Sequence, residues 1–336
     1  MEVVTFHRTI AVAESSQPSA ARFLTREIAD TVGLGEEDSY RAGLVATELG
    51  TNLVKHAKDG EILVRPVAGF PRGELEVIAI DRGPGMADVS RSMADGHSTT
   101  GSAGTGLGAI QRLADDFDIY SEPGRGSVVY VRLRAGRRAP GNGHSMRVGA
   151  VSVPKTGEQV CGDGWTIRHG VHGLSALLVD GLGHGLQAAE AADAATAAFR
   201  RQQFADTSHA LQAVHDGLRH TRGAAGAILE VDHDKRTARF SGVGNVCCAI
   251  VREGVARQAV SNSGTLGHQA RHFREYSYPW SDDASFVMHS DGLISHWSLS
   301  GYQGLGIHHP TVIAAVLYRD FTRHRDDVTV LVGRRG

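Results

Sequence analysis

Apolar positions along the chain change period several times, and each change marks an element. Val3, Val4 and Phe6, then Ile10 and Val12, alternate enough to predict an edge strand within residues 1–14. After a helix entry at Ser15–Ser19, residues 20–32 take helical spacing, and Asp38 fits the cap of a second helix over about 39–57. On that helix Ala42, Val45, Leu49 and Leu53 form one apolar stripe. Glu48, Asn52 and Lys55 form a polar stripe beside it at i, i+4 and i+7. A solvated face accounts for such a stripe. Against that, Asn has poor propensity in mid-helix, and Glu48 is flanked by apolar residues. Strands follow at 61–66 and 74–81, then a Ser/Thr/Gly-rich loop at 90–104. A helix opens at Gly104-Thr105-Gly106-Leu107-Gly108 and runs to Ala114, and strands at 118–120 and 127–133 close the pattern.

Residues 136–146 carry Gly, Pro and Arg without periodicity and read as a linker between domains at 1–135 and 147–336. Beyond it, strands are expected at 147–154, at 166–169 paired with 174–180, at 225–232, 237–242, 246–252, 285–289 and 327–332. Helices are expected at 186–203, at 207–219 with Leu211, Val214 and Leu218 buried, and from Pro310, which suits a first turn, to 318. The most telling stretch is LLVDGLGHG at 177–185. An apolar run delivers Asp180, and the backbone then turns on glycines. A fixed carboxylate beside unshielded backbone carbonyls suits a hard cation. The same stretch also fits a strand-to-helix connection in which Asp180 caps a helix beginning at Leu186. The grammar recurs at FVMHSDGL, 286–293, and RDDVTVLV, 325–332, which favours the cation.

Bulk properties narrow the class. The 336 residues suit about two domains, and 41% hydrophobic with 21% charged content is ordinary for a folded soluble chain. A net charge of −2 gives no polyanion surface, so no nucleic-acid partner is expected. Cys161, Cys247 and Cys248 are too few for a disulfide framework and contain no CxxC pair, which argues against structural zinc. Cys247 and Cys248 read as core residues, and Trp165 and Trp297 as packing residues. The start MEVVTFHRTI is too polar for a signal peptide and no run approaches a membrane span, so a cytoplasmic location without membrane contact is expected.

The ordered set ELGTNLVKHA, DRGPGM, a glycine-rich lid, GTGLG and GRGSVVYVRL resembles the GHKL ATP-binding fold, over about residues 5–135. Backbone amides at a glycine-lined helix start form a natural phosphate site. The resemblance implies that Asn52 holds a Mg²⁺ bridging the phosphates of ATP and that Glu48 is the general base or hydroxyl-orienting carboxylate. It implies that Asp81 bonds the adenine amino group, with Gly83 in the same turn, Gly85 allowing close approach and Ser127 supporting the contact. Thr105, Gly106, Leu107 and Gly108 would cradle phosphate, with Lys55 and His56 on the phosphate side. The ATELGTNLVKHA helix looks most like the anti-sigma and switch-kinase Ser/Thr kinases.

In the second half Asp163, Asp180, Asp291 and Asp326, with Asp327 adjoining, sit at strand ends or loops. Oxygen ligands without Cys or His favour Mg²⁺ or Mn²⁺, and two such ions activate a water for in-line attack without a protein nucleophile. GDGW, VDGLGHG, GVGN, SGTLG, HSDGL and RDDVTVL in this order resemble the metal-dependent Ser/Thr protein phosphatases, in their bacterial SpoIIE branch, over about 147–336. The resemblance implies that Asp180 bridges both metals, the Gly181 carbonyl binds one, Asp291 and Asp326 complete the other, and Asp163 supports the second ion. Gly164-Trp165-Thr166 stands where the family often has a further acid. His184 fits either a place beside the metals or a structural role.

Together these readings imply an α/β, two-domain architecture: a GHKL-type α/β sandwich, then an αββα phosphatase sandwich. The function implied is dephosphorylation of phosphoserine or phosphothreonine on a STAS-domain anti-anti-sigma or stressosome protein, with ATP-dependent Ser/Thr kinase activity in the first half. A sigma factor is a second candidate partner, and a homodimer is among the assemblies expected. The alternative is a first half that, loaded with ATP, only binds the partner and delivers the phosphatase.

Overall fold

The structure, a computed structural model, describes residues 6–67, 73–93, 106–137, 146–201 and 205–336. The chain divides into two units, Met1–Gly141 and Asn142–Gly336.

The first unit runs β1 (Arg8–Ala11), α1 (Gln17–Thr31), α2 (Glu36–His56), β2 (Glu61–Val67), β3 (Glu74–Ile80), α3 (Val89–Met93), α4 (Gly106–Leu113), β4 (Asp116–Glu122) and β5 (Gly126–Arg134). The strands form one antiparallel sheet in the order β1-β2-β3-β5-β4. Alternate strand residues such as Val64, Val77 and Val131 meet Ile28 of α1 and Leu49 and Leu53 of α2 in one core. Each side chain buried this fully contributes about 1.5–3 kcal/mol. Of the edge-strand prediction, Val3 and Val4 lie outside the described residues. The Asp38 cap is corrected: α2 begins at Glu36 with Gly35 as its cap. Asp38 lies in the first turn with Glu36 and Glu37, where acids complement the helix dipole. Its carboxylate pairs instead with Arg41 at 2.9 Å and accepts from the Gly136 amide at 2.7 Å. Helix α3 occupies the start of the stretch read as loop.

The remaining alternate residues of this sheet include a buried charge network. Arg65 and Arg132 lie directly across from Glu76 on the two neighbouring strands. Glu76 accepts from Arg65 Nε at 2.9 Å and Arg132 Nη2 at 2.6 Å, and His7 Nε2 is 3.2 Å away. Burial alone pushes this carboxyl up; Arg65, Arg132 and His7 outweigh it and hold the group well below its ordinary value of 4.5.

The second unit runs β6 (Met146–Val153), β7 (Asp163–His169), β8 (Gly173–Gly181), α5 (Leu186–Arg200), α6 (Thr207–Gly217), β9 (Ala224–Asp232), β10 (Thr237–Val243), β11 (Cys247–Arg252), β12 (Val255–Gln258), β13 (Tyr276–Pro279), β14 (Ser285–His289), α7 (Pro310–Phe321) and β15 (Val328–Arg335). Two five-stranded sheets, β13-β10-β9-β8-β7 and β12-β11-β14-β15-β6, pack face to face. Leu178, Leu229 and Phe240 of one meet Phe286, Met288 and Leu331 of the other. Successive residues point to opposite faces. Leu177 and Val179 therefore turn outward onto Ala191, Phe199 and Val214 of α5 and α6. Helix α7 covers β6 and β15. Helix, sheet, sheet and helix thus give the four-layer sandwich. Among the described residues no helix is long and apolar enough to cross a membrane.

Helix α5 starts behind Gly185 with no side-chain cap, so Asp180 is not a helix cap. Helices α5 and α6 end at Arg200 and Gly217, short of the predicted 203 and 219, whereas α7 runs on to Phe321. Strands β12 and β13 were not expected from the pattern.

Candidate functional site

In the first unit, α2 carries Glu48 and Asn52 half-buried and Lys55 and His56 exposed in its last turn. Helix α4 begins against Asn52: a Cβ on Gly106 would lie 3.3 Å from Asn52 Oδ1. Leu107 is half-buried and Gly108 buried in the first turn of α4, whereas Thr105 lies outside the described residues. Strand β3 delivers Asp81, whose amide donates to the Ser127 carbonyl at 3.0 Å and whose Oδ1 accepts from the Gly83 amide at 2.6 Å. Gly85 has φ +67°, and a Cβ there would lie 2.1 Å from the Glu122 carbonyl oxygen, so only glycine lets this turn close. The Ser127 hydroxyl pairs with Ser121 Oγ at 2.9 Å, and Ser121 accepts from the Met86 amide at 2.8 Å. Ser127 therefore supports Asp81 through its backbone, and Ser121 is the side chain that steadies the DRGPGM turn. A half-buried acid and amide on one helix face, a glycine-led helix start beside the amide, and an aspartate at a tight turn suit a nucleotide with its cation.

In the second unit, Asp163 and Asp180 sit directly opposite one another on β7 and β8, hence on the same face. Burial pushes the Asp180 carboxyl up, and Asp163, Asp291, Asp326 and Asp327 push it further. Burial also raises Asp163, against hydrogen bonds from Ser290 and Thr329 that favour its charge. Burial and Asp326 raise Asp291 despite Arg323 and Asn245. Ser290 Oγ donates to Asp163 Oδ2 at 2.7 Å and accepts from the Thr329 amide at 2.9 Å. Asn245 Nδ2 donates to Asp291 Oδ2 at 2.7 Å. Asp163 Oδ1 is buried with no hydrogen-bond partner. A Cβ on Gly292 would lie 2.1 Å from the Asp327 carbonyl oxygen, so this glycine lets the Asp291 turn close on the Asp326–Asp327 turn.

Asp326 is half-buried and accepts from the Asp327 amide at 3.0 Å. Asp327 instead braces the backbone. Its carboxylate takes the Lys155 amide at 2.8 Å and the Gly162 amide at 3.0 Å, pinning the chain before Asp163. Gly181 ends β8 next to Asp180, and its amide donates to the Gly162 carbonyl. His184 Nδ1 lies 2.6 Å from Glu158 Oε1, with both side chains partly exposed.

The donors fit a hard divalent cation. They are all oxygen, they raise one another's pKa, and one buried oxygen is unsatisfied. Among the described residues no three His, Cys, Asp or Glu side chains form a group that could by itself hold a metal ion. Ser290 and Asn245 were missed in the sequence. Each adjoins a recognised motif, HSD or GVGN, and a polar residue beside a candidate ligand was the available signal.

Comparison with known proteins agrees with both halves. Residues 11–133 match the family "Histidine kinase-like ATPase domain", and residues 170–336 match "Stage II sporulation protein E (SpoIIE)". The chain is 38% identical over 110 residues to "Serine/threonine-protein kinase RsbT" of Bacillus subtilis (strain 168), covering 33% of this chain and 83% of that protein. It is 24% identical over 140 residues to "Phosphoserine phosphatase RsbX" of the same organism, covering 41% of this chain and 70% of that protein. A chain of the structure "The bacterial stressosome: a modular system that has been adapted to control secondary messenger signaling" overlays with a TM-score of 0.52 at 26% identity, covering 56% of this chain and 99% of that one. The "Structure of the PP2C Phosphatase Domain and a Fragment of the Regulatory Domain of the Cell Fate Determinant SpoIIE from Bacillus Subtilis" matches in fold, with a TM-score of 0.50 at 17% identity over 94% of each chain. By its two halves, then, this chain joins a domain of the histidine kinase-like ATPase family to a domain of the SpoIIE family with the PP2C-type phosphatase fold.

Proposed function

We propose that this chain is a two-way regulator of a phosphorylatable partner protein in the cytoplasm. The second unit removes phosphate from a serine or threonine of the partner, and the first binds ATP and returns a phosphoryl group. The partner class is a STAS-domain or stressosome protein. The observation that carries the phosphatase half is the Asp163–Asp180 pair, directly opposite one another on β7 and β8, Asp163 buried and Asp180 half-buried. Buried acids without cations are costly, and divalent ions relieve the cost. Asp180, Asp291 and Asp326, with the Gly181 carbonyl, hold them, and Asp163 supports the second. When bound, Mn²⁺ or Mg²⁺ supplies a water acidic enough to attack at neutral pH and charge to offset the phosphoryl oxygens. Ser290 orients Asp163, Asn245 orients Asp291, and Asp327 holds the chain that leads into β7.

In the first unit Asn52 holds the Mg²⁺ of ATP, Asp81 and Gly85 receive the adenine, and Gly106 to Gly108 with Thr105 line the phosphates. Lys55 and His56 add charge there, and Glu48 takes the proton of the accepting hydroxyl. A second reading has support in a 25% identity over 130 residues to "Anti-sigma F factor" of Caldanaerobacter subterraneus, covering 91% of that protein. In it the first unit is an ATP-loaded module that holds a partner, a sigma factor included, without phosphorylating it. One experiment separates the readings: transfer of the γ-phosphate of labelled ATP to a STAS-domain protein, and release of phosphate from the product. Loss of transfer in Glu48→Ala and Asn52→Ala, and of release in Asp180→Asn, is expected. Transfer by the unaltered chain no greater than by Glu48→Ala leaves the binding module.

A further inference from the structure

A groove of about 620 Å³ opens on the second unit beside Asp291, within the roughly 300–1,000 Å³ of sites that hold small ligands. Asn245 forms part of its wall and also donates to Asp291 Oδ2, so the groove begins where the acid cluster ends. Its floor comes from β11 and β12, through Cys247, Ala256 and Gln258. Its far wall is the segment Ser295–Ser298. Trp297 is fixed there because its Nε1 donates to His289 Nε2 at 3.0 Å, two residues before Asp291. None of the lining residues is Asp, Glu, Lys or Arg. A channel lined by no acid, lysine or arginine, with His296 in its far wall, therefore leads away from an acidic centre. Strand β12 stands at the edge of its sheet, where an extended chain can add.

We propose that this groove receives an uncharged, extended segment of the phosphoprotein substrate, immediately flanking the phosphorylated serine or threonine, and selects substrates by that segment. The proposal rests on the phosphatase reading of the adjoining acids. Continuity through Asn245 brings a phosphoryl group near Asp291 while the neighbouring residues lie along the groove. The lining selects against charge: a flanking carboxylate loses its water, finds no Lys or Arg among the lining residues and approaches Asp291 and Asp326, with Arg323 beyond Cys247 offsetting this only in part, and a flanking lysine meets no acid inside the groove. Backbone amides and small side chains find the hydroxyls of Ser261, Ser295 and Ser298 and the amide of Gln258.

The test uses the full chain with Mn²⁺ and three substrates. These are p-nitrophenyl phosphate, which has no flanking residues, a phosphoserine heptapeptide with Ala, Gly and Ser flanks, and the same heptapeptide with Glu flanks. The unaltered chain is expected to favour the neutral peptide over the Glu-flanked one by about tenfold in kcat/KM. Gln258→Arg and Ser298→Arg, both at exposed positions, are each expected to shift that ratio about tenfold toward the Glu-flanked peptide. A gain on one substrate is a change that misfolding does not produce. A ratio unmoved by both substitutions, with p-nitrophenyl phosphate still hydrolysed, overturns the groove proposal alone. No phosphate release from any of the three substrates by the unaltered chain overturns the phosphatase reading and the groove with it.

Discussion

Two buried carboxylate sites, one in each unit, are built in opposite ways. Glu76 lies in the middle of a sheet with an arginine directly across from it on either side and His7 alongside. Its charge is matched within the chain, and the group stays ionised well below the ordinary carboxylate range. Asp163 is also buried, with Asp180 half-buried directly opposite it, but their neighbours are Asp291, Asp326 and Asp327. Hydrogen bonds to Asp163 and Asp291 hold those carboxylates in place without supplying a cation. An acid balanced from within serves the fold. An acid cluster left unbalanced within the chain is one suited to a counter-charge from outside, such as a divalent cation.

The contrast can be broken most decisively at Asp180. Asp180→Asn is expected to lower metal-dependent phosphate release at least about a thousandfold, since several kcal/mol of transition-state stabilisation go with the ions. The same change is expected to raise the thermal midpoint of the metal-free second unit, because folding no longer has to suppress the ionisation of this carboxyl. A lowered midpoint would mean that Asp180 is structural. Glu76→Gln should do the reverse: it leaves Arg65 and Arg132 buried without their acid, at a cost of about 3–5 kcal/mol in urea unfolding of the first unit. Ser290→Ala sharpens the comparison at the supporting layer. It should weaken Mn²⁺ binding about 10–100-fold by calorimetry with little change in fold, and unchanged affinity would remove Ser290 from the site.

Acid titration of the metal-free chain gives, per pH unit and per proton, a small effect and a difference in sign. Glu76 has a folded pKa below its unfolded value. Its contribution is complete above about pH 4.5 and is lost as pH falls through the lower folded value. Asp163 and Asp180 have raised folded values, so their ionisation opposes folding at neutral pH. Stability of the second unit should therefore rise as pH falls from neutrality toward the ordinary carboxylate range. The slope is about 1.4 kcal/mol per pH unit for each proton taken up. Melting of the two units followed against pH reads both signs in one experiment, and parallel shifts would contradict the contrast.

The uneven legibility of the sequence has the same origin. Strands such as 74–80 and 173–181 announce themselves by runs of Val, Ile and Leu, and Asp180 is conspicuous at the end of such a run. Strand β12 shows no such pattern because Val255, Arg257 and Gln258 are exposed at a sheet edge, where no core dictates alternation. The Glu76 network was illegible for a different reason. Arg65, Glu76 and Arg132 come from three strands, and only the register brings them together. Asp38 misled because an acid in the first turn and an acid at the cap look alike in sequence, and the helix starts at whichever residue the chain geometry releases first. Ser290 was hidden in plain view, since the hydroxyl that holds Asp163 sits 127 residues away from it.

One feature of the second sandwich reaches further than its size. The β7–β8 hairpin turns at Gly170, whose amide closes onto the Gly173 carbonyl, at the end remote from Asp163 and Asp180. Side chains on a strand change face with every step. One extra residue in that distant bend, forcing a single-step slide of either strand, would turn one of the two acids away from the other while leaving the hairpin able to form. The reading frame of the paired acids is thus kept by a surface loop that never touches them.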